Sequence, residues 1–71
     1  MDNLRIGGLY RATVALGLLY DNGNRVEYYP IRANEIAMYL GRKDGRHQFL
    51  YKEDILSADS VRARCGWWRR L

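Results

Sequence analysis

Short apolar runs separated by Gly, Asn and Asp clusters dominate the chain, and their spacing predicts an all-β domain. Leu9 to Leu16 alternates, with Tyr10, Ala12, Val14 and Leu16 on one face and Arg11 and Thr13 on the other. Gly17 allows a bend or bulge, and Leu18-Leu19-Tyr20 leads into Asp21-Asn22-Gly23-Asn24. Asn-Gly is a strong hairpin signal because a type I′ turn needs positive φ at both central residues. Residues 25–29 form the returning strand, with Val26 and Tyr28 on one face, and Pro30 should end it for want of an amide donor. A turn over residues 31–35 precedes Ile36-Ala37-Met38-Tyr39-Leu40, where Ile36, Met38 and Leu40 share a face and Gly41 closes the strand. Residues 42–46 form a second hairpin tip around Asp44-Gly45. His47 to Tyr51 returns with Phe49 and Tyr51 on one face and Leu50 on the other. Strands apolar on both faces suit a sheet bent around a barrel core. Lys52-Glu53-Asp54 reads as a turn and Ile55-Leu56 as a short buried stretch.

Residues 58–71 fit two readings. As a strand, Val61, Ala63, Cys65 and Trp67 alternate with Arg62, Arg64, Gly66 and Trp68. As a helix capped by Ser57, positions Val61, Cys65, Trp68 and Leu71 share one face. Two adjacent Trp and a β-branched Val favour the strand, and Gly66 costs a helix about 1 kcal/mol. The predicted architecture is a small five-stranded barrel with short turns, which hides the edges an open sheet exposes.

A family resemblance sharpens this. Gly7-Gly8-Leu9-Tyr10-Arg11, then Ile36-Ala37-Met38-Tyr39-Leu40-Gly41, a Gly-containing tip and Phe49-Leu50-Tyr51 resemble the order found in small bacteriophage proteins with SH3-like barrels. The resemblance covers about residues 7–56. It implies an SH3-like fold and a non-enzymatic protein, encoded by a phage or mobile element, that binds and modulates or inhibits a host protein or complex in the host cytoplasm.

Composition limits the alternatives. The chain has 71 residues, so it forms a single domain, 1–71, with a barrel body over 7–56 and a terminal segment over 61–71. A chain of this size buries only about 60% of its unfolded surface, and a large enzyme with a deep cleft is excluded. Apolar content of 48% is that of a folded domain. The single Cys65 forbids an intrachain disulfide, which fits a reducing compartment. The longest apolar run, Ala12 to Tyr20, is nine residues and too short to span a membrane. Arg5 and Arg11 precede it as in a signal peptide, but no small-residue cleavage site follows.

Charge is unevenly placed. The net +4 rests on Arg62, Arg64, Arg69 and Arg70, because residues 1–61 carry eight basic and eight acidic side chains. Those four Arg flank Trp67-Trp68. Arg offers bidentate donors to phosphate or carboxylate, and Trp a flat stacking surface. That pairing serves protein hot spots, single-stranded nucleic acid and small anionic ligands alike, while a solvated outer face is the plain alternative. Among six Tyr, Tyr28 and Tyr29 must point to opposite faces, and Tyr39 opposes the Ile36/Met38/Leu40 face, which predicts exposed Tyr ridges. The candidate binding residues are therefore Arg62, Arg64, Trp67, Trp68, Arg69, Arg70, Tyr28, Tyr29 and Tyr39. Catalysis is not expected: the chain has one His and one Cys, His47 and Cys65, and nothing in their spacing brings base and nucleophile together. Glu53-Asp54 are turn neighbours, no phosphate-binding loop is present, and neither cofactor nor metal is expected. The expected partner is a host protein or complex, with nucleic acid or an anionic nucleotide as alternatives. A marginal core with surplus aromatics leaves a homo-oligomer open.

Overall fold

The computed structural model describes residues 4–21, 23–59 and 66–71. Seven strands form among them: β1 (Leu9–Ala12), β2 (Leu16–Asp21), β3 (Val26–Ile31), β4 (Ile36–Lys43), β5 (Arg46–Tyr51), β6 (Asp54–Ala58) and β7 (Trp68–Arg70). They make one antiparallel sheet in the order β3-β2-β6-β5-β4-β1-β7. The fold is all-β as the periodicity predicts, with seven strands rather than five and without pairing between β3 and β7 among the described residues. No helix among these residues is long and apolar enough to cross a membrane.

The sheet is open but strongly curled. β5 and β7 lie three strands apart, about 14 Å in a flat sheet. Yet the Phe49 and Trp68 rings stack with centroids 4.4 Å apart at 17°. On the other side β3 and β5 are also three strands apart, and Tyr29 meets Tyr51 edge-on at 5.6 Å. Both halves of the sheet therefore fold over β5, and one face of all the strands feeds a single core.

That core is rich in aromatics. Tyr10, Tyr39, Phe49, Tyr51 and Trp68 are buried together with Ala12, Leu16, Leu18, Ile31, Ala37, Leu56 and Ala58. Burying three Tyr requires partners for three hydroxyls. Each has one where the strand reaches the end of the core. Tyr10 Oη accepts from the Arg5 amide at 2.7 Å. Tyr39 Oη meets His47 Nδ1 at 2.7 Å. Tyr51 Oη donates to the Glu35 carboxylate.

Several expectations are corrected here. Residues 13–15 leave the sheet, so Val14 is 44% exposed while Tyr10, Ala12 and Leu16 face inward as expected. Pro30 does not end its strand: β3 is an edge strand, and a residue without an amide donor is tolerated there. Asp21 pairs with Val26, so the first hairpin is not closed by a two-residue turn; Asp21 Oδ1 accepts instead from the Gly23 amide at 2.9 Å. The second tip is the predicted one, with φ of 54° at Asp44 and 77° at Gly45 between paired Lys43 and Arg46. Gly41 does not close β4. It sits at a bulge with φ of 105°, and the strand runs on to Lys43. In β6, Leu56 is buried but Ile55 is 52% exposed. The strand reading of the terminal segment holds over Trp68–Arg70; positions 60–65 lie outside the described residues.

Candidate binding face

The strand faces decide where a partner could sit. In β4 the inward positions are Ala37, Tyr39 and Gly41, not the more aliphatic Ile36, Met38 and Leu40. Tyr39, expected on an exposed ridge, is 5% exposed, because its ring packs on Phe49 at 5.3 Å and its hydroxyl reaches His47. The aliphatic side chains therefore face outward.

Register turns them into a row. Leu9 pairs with Met38, Met38 with Leu50, and Leu50 with Ile55. Leu71 extends the row past β1, since its amide donates to the Leu9 carbonyl at 3.1 Å. Five aliphatic side chains thus cross five neighbouring strands on the outer face. Met38 and Leu50 are half-buried by their neighbours, and Leu9, Ile55 and Leu71 are exposed. Four inter-strand steps make the row about 19 Å along the curved outer surface of the sheet. A scattered exposed Leu is ordinary; an in-register row of five beside a core that buries three Tyr is not.

Cations line one side of the row. Arg11 stands directly opposite Arg69, two positions from Leu9 and Leu71. Lys43 stands opposite Arg46 at the tip of the second hairpin, four positions from Leu50 and about 13 Å from the row. Like charges directly opposite each other destabilise a sheet. None of these four side chains has an ion pair among the described residues, where the ion pair is Arg25–Glu27. Between the two hairpins the outer face dips into a depression with Leu19, Ile55 and Ser57 in its lining, and with Asp21 and Asp44 near Lys43 and Arg46.

The residues singled out from the sequence are distributed unevenly. Trp68 is 3% exposed and belongs to the core, stacked on Phe49; Trp67 is half-buried against the same core. Neither is an open stacking platform. Thr13 fastens this segment through its amide to the Trp67 carbonyl at 2.9 Å and its hydroxyl to the Gly66 carbonyl at 2.7 Å. Arg69 and Arg70 are exposed, and Arg69 joins the outer face opposite Arg11. Arg62 and Arg64 lie outside the described residues. Tyr28 and Tyr29 do point to opposite faces: Tyr28 is 72% exposed, with its ring over Gly17, while Tyr29 is half-buried against Tyr20 and Tyr51. The sequence reading missed Leu9, Met38, Leu50, Ile55, Arg11, Lys43 and Arg46. The signal that could have found them was the apolar character of both faces of residues 36–40 and 47–51.

Titratable groups cluster at the ends of the core rather than on this face. The Tyr51 hydroxyl, with the Arg32 amide, holds the Glu35 carboxyl below its usual range, and the same bond raises Tyr51. Burial raises Tyr39 and lowers His47, with Arg42 adding to the latter. His47 is thus a neutral partner of a core Tyr, while Cys65 lies outside the described residues. Comparison of the chain with protein-family models, curated proteins and solved structures finds no match.

Proposed function

We propose that this protein is a non-catalytic binding module that engages a partner protein through the outer face of its sheet. The observation that carries the reading is the in-register row Leu71–Leu9–Met38–Leu50–Ile55, flanked by the Arg11/Arg69 pair. A domain this small gains stability from each buried aliphatic group, so placing five outside while burying three Tyr has a cost that an interface would offset. In the reading taken from the resemblance, the sheet is an SH3-like barrel and the partner a host protein that binding occludes; the strong curl around β5 supports the barrel. Nucleic acid is the weaker alternative, because the row is aliphatic and single-strand binding needs aromatic platforms.

The test is a photo-reactive side chain placed at Met38 or Leu50, used in cells that contain the partner. Crosslinks to the partner at those positions, and none to it from a probe at the exposed Tyr28 on the far edge strand β3, support the reading. Crosslinks confined to Tyr28 contradict it.

A further inference from the structure

The sheet has two open edges, β3 and β7, and they are not alike. We infer that β3 is a self-association edge: two copies of the chain pair their β3 strands antiparallel across a two-fold axis at Val26, joining two seven-stranded sheets into one.

Three observations lead there. The first is the contrast between the edges. β7 is three residues long and carries Arg69 and Arg70, the short, charged form in which an edge resists pairing. β3 runs for six residues in regular register with β2, without a bulge, and leaves Val26 and Tyr28 exposed. The second is the direction of its backbone groups. Pro30 stands in that unbroken ladder, and a proline fits a strand where its nitrogen points away from the neighbour. By alternation the amide and carbonyl of Val26 and of Tyr28 also point outward. The third is the order of charges, which selects both the occupant and the register. Arg25 and Glu27 form an ion pair two positions apart on one face of the strand. An axis at Val26 sets Arg25 of each copy opposite Glu27 of the other, so each carboxylate lies between two guanidinium groups. Val26 then faces Val26 and exchanges two backbone bonds with it, Tyr28 lies opposite Asn24, and Pro30 falls beyond the paired stretch. An axis at Glu27 instead sets two carboxylates against each other, and one at Tyr28 puts Pro30 opposite Val26, whose carbonyl then finds no donor. Pairing of β3 with β7 of another copy is head-to-tail and open-ended, and the short, basic β7 opposes it.

The experiment uses the full chain. Sedimentation equilibrium gives its mass from about 10 μM to about 1 mM, a range that reaches the weak association expected of so small a contact. Amide hydrogen exchange gives the location. The mass should rise toward that of a dimer, with exchange at Val26 and Tyr28 slowing as it rises and exchange in β7 unchanged. Arg25→Glu and Glu27→Arg, both at accessible positions, each gather like charges around the axis and should weaken association at least about tenfold. An equimolar mixture of the two variants should restore it as a mixed pair, in which every charge again faces its opposite. A chain that stays monomeric throughout, variants that associate as strongly as the parent, a mixture that fails to associate, or slowed exchange confined to β7 or to the Leu9–Met38–Leu50 row overturns the inference. Exchange at Val26 and Tyr28 that slows only with the partner crosslinked at Met38 bound would give this edge to that partner and also overturns it. A probe at Tyr28 should crosslink the chain to itself, which the mass of the product separates from a crosslink to the partner, so the failure of either reading leaves the other standing.

Discussion

Trp68 sits at the junction of the terminal segment and the core, and replacing it tests the fold most sharply. Its ring is 3% exposed and stacks on Phe49 at 4.4 Å. Trp68→Ala removes an aromatic side chain from a packed site, at a cost of about 3–5 kcal/mol. A domain of this length has a total stability of about 4–10 kcal/mol. The variant therefore loses about 30% of its stability at least, and at the upper end all of it. Each kcal/mol moves the midpoint of a domain this small by about 4–8 °C, so the melting temperature falls by at least about 12 °C or the transition vanishes. Urea titration followed by far-UV circular dichroism measures this without depending on indole fluorescence. Trp68→Phe keeps a ring on Phe49 and should recover much of the loss. A Trp68→Ala protein within about 1 kcal/mol of the parent would refute the placement of this residue in the core.

Other consequences follow from the same contacts. Glu35 has a folded pKa below its unfolded value, so the unfolded chain binds more protons in the interval between them; the stabilisation is present above the unfolded value near 4.5 and is lost as pH falls through the folded one. Tyr51→Phe removes the principal cause, and thermal melts from pH 7 to pH 2 should show a shallower acid loss than the parent; an unchanged slope would remove Tyr51 as the cause. Gly41→Ala places a side chain at a φ of 105° and within 3.1 Å of Ile6, so it should destabilise by about 1–2 kcal/mol in a urea titration, whereas no loss would mean that the bulge in β4 relaxes freely. His47 has a folded pKa below its unfolded value, so stability falls as pH drops from about 6.5 and the ring takes a proton; His47→Gln should flatten that step in melts between pH 7 and pH 5.

Much of the local structure was legible in the residues. The Asp44-Gly45 turn, the shared face of Phe49 and Tyr51, and the split between Tyr28 and Tyr29 follow from turn chemistry and period-two alternation. The choice of face in β4 was not. Alternation divides Ile36, Met38 and Leu40 from Ala37 and Tyr39 but does not say which set is inside, and hydrophobicity points to the wrong one. The decision comes from tertiary contacts: Tyr39 fits beside Phe49 and its hydroxyl reaches His47, a residue eight positions away in the next strand. The same limit applies to Trp68. Its neighbours Arg69 and Arg70 suggest a surface, but its partner Phe49 is remote in sequence. Removing the chain from Val61 onward would therefore take away part of the core as well as the terminal arginines, and could not separate binding from folding. The candidate face was hidden for the same reason, since it consists of the aliphatic positions that a one-sided reading assigns to the interior.

The central claim is that the aliphatic row faces outward and serves a partner. The most direct measurement is the affinity of the crosslinked partner for Met38→Lys/Leu50→Lys, alongside the urea stability of that variant. The account predicts stability within about 1 kcal/mol of the parent for each half-buried position, together with loss of binding. Undiminished binding by the folded variant would contradict it.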